Sequence, residues 1–264
     1  MTRIVNNCVA LVCLCLFWGQ SLRAADASHS EQIKWGNESV FNEEHNTLGL
    51  FSGVLGGQIV LAGGTSDDYS RWGRNAVCLS ENAGFALYED VLSKPLAYGA
   101  SITLSDGILC IGGRDSSQCY EDVFFVTMQQ GKLNVSEDWP PLPFPLSNAA
   151  GALLDNKVYL FGGRKSVSPS RLSDSFFVLD LSNKSRGWKE LPGYPGCVRE
   201  DAILVVQNNG VSPCLYLLGG QTETEEGLSS CLTDGYVYNP QLGKWSSLGS
   251  DFPKGICAAV ASGA

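Results

Sequence analysis

Four short runs decide the fold of this chain: Ile59-Val-Leu-Ala-Gly63-Gly64, Ile108-Leu-Cys-Ile-Gly112-Gly113, Val158-Tyr-Leu-Phe-Gly162-Gly163 and Leu215-Tyr-Leu-Leu-Gly219-Gly220. Each is a β-type apolar run that ends in a double glycine. They recur at spacings of 49, 50 and 57 residues, and such a period marks a repeat architecture. Each run follows another apolar, small-residue-rich stretch and a turn. Tyr98-Gly-Ala-Ser-Ile-Thr-Leu leads into Ser105-Asp106-Gly107, and Ala149-Ala-Gly-Ala-Leu-Leu into Asp155-Asn156. Asp-Gly and Asp-Asn between apolar runs are hairpin turn chemistry.

A polar loop and a third strand follow each double glycine. Asp122-Val-Phe-Phe-Val-Thr, Ser175-Phe-Phe-Val-Leu-Asp and Gly235-Tyr-Val-Tyr-Asn fit that place. Trp139, Trp188 and Trp245 lie 26, 25 and 25 residues after the second glycine of their units, which predicts a Trp-bearing fourth strand. In the first unit Leu87 or Tyr88 takes that place. Four antiparallel strands per unit of about 50 residues make a propeller blade. Paired glycines let the strand end turn through positive φ close to neighbouring backbone. The Trp supplies a large apolar face between blades.

The repeats resemble the kelch repeat, whose mark is this double glycine followed by Tyr and Trp. The expectation is an all-β, kelch-type β-propeller with four blades present of six, at about 47–96, 97–146, 147–196 and 197–255. Residues 256–264 read as the start of a fifth. Because a propeller must close, the chain reads as part of a longer ring, with a four-bladed ring closed by the last strand as the alternative. An open edge would invite self-association.

Composition narrows the function. The 264 residues carry a net charge of −9, with 30 glycines and 17% charged residues. An acidic chain without a basic block does not suit nucleic acid. Neither histidine lies near a Cys or carboxylate cluster, which disfavours a His-based metal centre. Residues 1–27 read as a signal peptide. Arg3 precedes the apolar run Cys8–Trp18, and Ala25-Asp26-Ala27 has the small-x-small cleavage pattern. The apolar run is too short to span a bilayer, so the expected location is periplasmic or extracellular, off the membrane once cleaved. Residues 28–46 read as a linker or a closing strand. Seven cysteines remain after position 27. Cys110–Cys119 is the first candidate for a local disulfide, and buried reduced cysteines are the alternative.

A closer resemblance rests on Leu96-Ala-Tyr98-Gly99, Cys110-Ile-Gly-Gly113, Cys119-Tyr-x-Asp-Val123, Pro143-Phe-Pro-Leu-Ser-Asn148-Ala-Ala-Gly151 and Glu190-Leu-Pro-x-Tyr-Pro195 through Arg199. These resemble bacterial exported kelch proteins of the sialic acid mutarotase (N-acetylneuraminate epimerase) type, in particular the cyclically permuted branch. The resemblance implies an isomerase that interconverts the anomers of N-acetylneuraminate by acid/base ring opening, with no metal or organic cofactor. The family's catalytic Glu and Arg lie in a motif like G-E-x-K-P-G-x-R after a blade's second strand. Here those places read Gly64-Thr65, Gly113-Arg114, Gly163-Arg164 and Gly220-Gln221. The permuted order is expected to put the motif in a later blade, so no catalytic residue is assigned.

Arg114, Arg164 and Arg199 are the candidates for binding an acidic sugar, since a planar guanidinium matches a carboxylate. Solvated loop arginines, or pairs with Asp115, Glu121 or Asp201, are the bland alternative. Tyr98 and Asn148 also stand where blades begin, in binding, packing or turn roles. A non-catalytic kelch module that binds a protein or glycan is the competing function. A copper oxidase on this fold is disfavoured because His29 and His45 lie outside the repeats.

Overall fold

The structure, a computed structural model, describes residues 48–80, 84–224 and 227–258. The predicted signal peptide and linker lie outside these residues. Four sheets follow one another along the chain, each an antiparallel meander of four strands.

Blade 1 comprises β1 (Leu48–Leu55), β2 (Gln58–Thr65), β3 (Ala76–Ser80) and β4 (Gly84–Tyr88). Blade 2 comprises β5 (Ala100–Thr103), β6 (Ile108–Ile111), β7 (Val123–Gln129) and β8 (Lys132–Ser136). Blade 3 has β9 (Ala150–Leu154) and β10 (Lys157–Phe161), a small hairpin of β11 (Arg164–Ser166) and β12 (Arg171–Leu172), then β13 (Phe176–Asp180) and β14 (Lys189–Glu190). Blade 4 repeats that plan. It has β15 (Ile203–Asn208) and β16 (Pro213–Leu218), a hairpin of β17 (Gln221–Glu223) and β18 (Ser229–Cys231), then β19 (Gly235–Asn239) and β20 (Lys244–Ser247).

The tight turns follow from residue type. Asp155-Asn156 joins β9 to β10 with φ of 49° and 57°, as the sequence reading required. Gly56-Gly57 and Gln130-Gly131 make the equivalent turns from β1 to β2 and from β7 to β8. Positive φ at both central residues gives the turn a twist that matches the strands it joins.

The double glycines are the joints between blades. Gly112 has φ +63°, and a Cβ there would lie 2.2 Å from the Leu146 carbonyl oxygen. Only glycine allows that approach. The next residue, Gly113, donates its N–H to the same oxygen at 2.8 Å. The other joints repeat this. Gly64 donates to Leu96 O, Gly163 to Arg199 O and Gly220 to Ile256 O, at 2.9, 2.9 and 2.7 Å. Each blade's glycines therefore hold the lead-in segment of the blade that follows.

Three apolar clusters fill the spaces between successive blades. Phe51, Val60 and Cys78 of blade 1 pack with Ile108, Phe124 and Val126 of blade 2. Leu109 and Phe125 of blade 2 pack with Val158 and Phe177 of blade 3. Phe161 and Phe176 of blade 3 pack with Leu215, Leu217 and Tyr238 of blade 4.

The equal Trp spacing hides two different positions. Trp245 in β20 pairs with Tyr238, which pairs with Leu215. Trp188, one residue before β14, continues the same register opposite Leu179. Each also donates its ring N–H to the connector before its blade, to Pro192 O and Pro140 O respectively. In blade 2 the equivalent place is Val135, opposite Val126, while Trp139 lies three residues beyond β8 and packs on Phe125. In blade 1 the place belongs to Phe85, opposite Leu79, rather than to Leu87 or Tyr88.

The candidate Cys110–Cys119 bridge is absent and the alternative holds there: Cys110 and Cys119 are buried and unbridged, while a disulfide joins Cys231 to Cys257. Cys110 sits mid-strand in the core between blades 1 and 2, whereas Cys119 shares a hydrogen bond with Ser147.

Candidate functional site

The lead-ins converge at one place. Gly49, Tyr98, Asn148, Asp201 and Ala258 all have left-handed backbone, with φ between 50° and 65°. Tyr98 N–H donates to Gly49 O, Asn148 to Tyr98 O, Asp201 to Asn148 O and Ala258 to Asp201 O, at 2.7 to 3.0 Å. Five residues at equivalent positions thus form a backbone spiral. They line a cavity of about 200 Å³ together with Leu50, Gly99, Ala149 and Ala202. A tyrosine and an aspartate held at positive φ are uncommon, and such backbone concentrates at functional sites.

Side chains add chemistry to this spiral. Asn148 Nδ2 donates to Asp201 Oδ1 at 2.9 Å, and Gln221 Nε2 donates to Asp201 Oδ2 at 2.8 Å. Gln221 lies 3.3 Å from Glu200 Oε1 as well. Burial pushes the Asp201 carboxyl up from its ordinary value. The Asn148 hydrogen bond opposes this, the charge of Glu200 reinforces it, and Gln221 and Arg164 oppose it. Burial also raises the Tyr98 hydroxyl, with a further contribution from its contact with Tyr69.

The three candidate arginines have three different fates. Arg114 stands directly after its double glycine. Its guanidinium lies 4.7 Å from the Tyr98 ring centre and 5.1 Å from that of Trp72. No ion pair to Arg114 occurs among the described residues. Its charge is framed by π-faces, and no carboxylate among the described residues neutralises it.

Arg164 holds the equivalent place in blade 3 but is neutralised. Nε and Nη2 donate to Glu200 Oε2 and Oε1 at 2.8 and 2.5 Å, and Nη2 reaches Glu223 at 3.2 Å. Arg199 is fully buried and is not a ligand-facing residue. It donates to both Asp234 oxygens at 2.6 and 2.8 Å, to Gly219 O at 2.7 Å and to Tyr194 Oη at 2.8 Å. It stands at the joint position that Leu96 and Leu146 hold in the preceding blades. Burial acts to raise the Asp234 carboxyl, but the Arg199 hydrogen bonds and charge outweigh it and hold Asp234 low.

The expected basic pocket is therefore a mixed one, with one unneutralised guanidinium beside two carboxyls, two amides and aromatic faces. Glu200, Asp201, Gln221, Tyr69 and Trp72 were absent from the sequence candidates. Asp201 shares its place with Tyr98 and Asn148, each two residues before its blade's first strand. That repeat offset was the available signal. A second cavity, about 240 Å³, lies between blades 1 and 2 around the Lys94–Asp122 pair. It is the larger of the two, and its one lysine is already paired with Asp122, with Glu137 also on the wall. Among the described residues no group of carboxylates, histidines and cysteines could hold a metal ion.

This architecture, with its glycine joints and inter-blade clusters, defines the chain as a kelch-type β-propeller. Residues 139–264 match the family described as NANM, N-acetylneuraminate epimerase. An N-acetylneuraminate epimerase of Yersinia pestis (strain Pestoides F) is 30% identical over 129 residues, 48% of this chain and 30% of that protein. One from Haemophilus influenzae (strain PittEE) is 31% identical over 121 residues, 46% and 29% of the two chains. A kelch domain-containing protein of Vibrio cholerae serotype O1 is 31% identical over 121 residues, 46% and 31%. The matched stretch thus spans about 30% of each relative's length. The solved structure of YjhT superposes with a TM-score of 0.63 at 14% identity, over 81% of this chain and 73% of that one, and supports the fold.

Proposed function

We propose that this chain is an exported carbohydrate mutarotase of the N-acetylneuraminate epimerase type. The observation that carries the reading is Arg114, whose guanidinium stacks on the cavity-lining Tyr98 and lacks an ion-pair partner among the described residues. A sugar carboxylate is the natural partner for such a group. Tyr98, Asn148 and Asp201 line the same cavity and supply the hydroxyl, amide and carboxyl groups that a polyol needs. The names of the relatives over the second half of the chain agree with that substrate class.

The reaction asks little of a protein. Opening the sugar ring needs one proton delivered to the ring oxygen and one removed from the anomeric hydroxyl, and closure reverses both. The direct experiment releases the α-anomer of N-acetylneuraminate with a sialidase and follows its conversion to β by proton NMR. Acceleration above the uncatalysed rate supports the reading. Absence of acceleration by folded protein that still binds the sugar supports the second reading, a non-catalytic glycan-binding propeller. Export is tested separately, by determining the N-terminal residue of the protein recovered outside the cytoplasm; a start at about residue 28 is expected.

A further inference from the structure

N-acetylneuraminate carries an acetamido group besides the carboxylate assigned above to Arg114. We propose that Tyr69 recognises this group: its ring packs on the acetamido methyl, so that the site selects an N-acylated acidic sugar over the counterpart with a hydroxyl at that carbon. The inference rests on the reading of Arg114 as the carboxylate site and needs no assignment of the reacting groups.

Three observations point to Tyr69. The first is its backbone, held at φ 60°. That region is uncommon for a bulky side chain and costs energy, and such strain gathers at functional sites. Closing the loop does not demand it. In blade 2, Asp115 closes the equivalent loop by accepting from the N–H groups of Ser117 and Gln118, and none of residues 115–119 has positive φ. The blade 1 loop is also longer. Thr65 bridges Trp72, seven residues on, whereas the equivalent Arg114 bridges Cys119, five residues on. Blade 1 spends this additional length on a bend that turns an aromatic ring outward, where Tyr69 is 50% exposed.

The second observation is the tying of the loop. Asp68 accepts from Ser66 Oγ, Ser70 Oγ and the Ser70 N–H at 2.6, 2.8 and 3.0 Å. The Ser66 N–H donates to Arg71 O and the Tyr69 N–H to Ser66 O, both at 2.9 Å. The Trp72 ring N–H donates to Tyr69 O at 3.1 Å. A ring presented on a loop fixed in this way binds without first having to be ordered.

The third observation is position. The Tyr98 hydroxyl donates to Tyr69 Oη at 3.4 Å, and Tyr98 lines the axial cavity. The face of the Tyr98 ring carries the Arg114 guanidinium. Tyr98 thus stands between Arg114 and Tyr69. In N-acetylneuraminate the carboxylate and the acetamido group likewise stand across one six-membered ring from each other. With the carboxylate on Arg114, the acetamido group is directed to Tyr69. Trp72 does not compete for it. Its ring N–H is taken by Tyr69 O, and its ring is occupied by Arg114 on one side and meets Tyr98 edge-on, with 6.3 Å between centres. Trp72 is a positioning residue that holds both Arg114 and the Tyr69 backbone.

The test is calorimetry with two free sugars, N-acetylneuraminate and the counterpart bearing a hydroxyl in place of the acetamido group. Wild type should bind the first about 10-fold more tightly or better, the scale of a small apolar contact in a pocket. Tyr69→Asn removes the ring but suits the left-handed backbone, and should bring the ratio to within about twofold. Tyr69→Phe keeps the ring and should keep the ratio. Equal affinity of wild type for the two sugars overturns the proposal and leaves the carboxylate reading standing. So does a Tyr69→Asn protein that retains the preference, or a Tyr69→Phe protein that loses it. Wild type that binds neither sugar overturns both.

Discussion

Arg199 donates to both carboxylate oxygens of Asp234, at 2.6 and 2.8 Å, from a position that is leucine in the two preceding blades. The pair thus bolts the lead-in of blade 4 to the third strand of the same blade, and Gly219 O takes a further bond from the same guanidinium. Removing one partner of such a buried pair strands the other. Arg199→Ala is expected to cost about 3–5 kcal/mol, measured by urea unfolding. Arg199→Leu combined with Asp234→Asn should recover most of that loss, because leucine already fits this joint at Leu96 and Leu146. A double variant no more stable than Arg199→Ala would show that the joint needs the charge itself.

The same pair has a pH signature. Asp234 is held below its unfolded value, so its contribution is present above the unfolded pKa of about 3.9. It is lost as pH falls through the folded pKa. Acid unfolding of the wild-type protein should therefore show a loss of stability below about pH 4 that is reduced in the Arg199→Leu, Asp234→Asn variant. Equal acid sensitivity of the two would assign that loss to other carboxylates.

Arg114 and Arg164 should separate cleanly when replaced by alanine. Arg114 faces aromatic rings and has no ion pair among the described residues, so Arg114→Ala should weaken N-acetylneuraminate binding about 10- to 100-fold, the scale of a charged hydrogen bond, with little change in Tm. Arg114→Lys keeps the charge but loses the planar stacking on Tyr98 and Trp72, and should recover only part of the affinity. Arg164→Ala leaves Glu200 buried without its partner, so its principal effect should be a lower Tm. Calorimetry and thermal unfolding on the same samples distinguish the two outcomes.

The joint glycines make a graded prediction. At Gly131, φ is +73° and a Cβ meets nothing within 4 Å. Gly131→Ala should cost only the left-handed backbone penalty, about 1 kcal/mol. At Gly112 the same change adds a collision with Leu146 O, and the loss should exceed about 3 kcal/mol. Comparable midpoints in urea for the two variants would refute the joint as described.

Thiol chemistry offers a separate check. Cys78, Cys110, Cys119 and Cys214 are buried, Cys197 is exposed, and Cys231 and Cys257 are bridged. Among these, iodoacetamide should label Cys197 alone in the folded protein. Mild reduction should add Cys231 and Cys257, with stability falling by about 3 kcal/mol for a loop of this length. Labelling of Cys110 before unfolding would contradict the packing between blades 1 and 2.

The blades were legible because their signals are local. A double glycine, an Asp-Asn turn and an apolar run each act within a few residues, and the strand order follows from them. The candidate site was less legible because it is built across blades. Asp201 gains its meaning from Asn148, 53 residues away, and from Gln221. Arg199 is hard to place from sequence for a related reason. An arginine where blades begin looks like a ligand-binding group until it is aligned with Leu96 and Leu146, which mark that position as interior. Distance from the glycines does not reveal Phe85, because β-sheet register decides which side chain faces a neighbouring blade. The Cys110–Cys119 proposal weighed proximity in sequence over the alternation of side chains along β6.

The glycine joints also give the structure a direction. The N–H of Gly64 is satisfied by a carbonyl 32 residues downstream, that of Gly113 by Leu146, and that of Gly163 by Arg199. During synthesis, then, a blade whose four strands have left the ribosome still has an open seam. It is completed when the first residues of its successor arrive, so the growing chain closes one step behind its own elongation. The last blade made is always the one exposed to mispairing, which is where holding by chaperones would matter most.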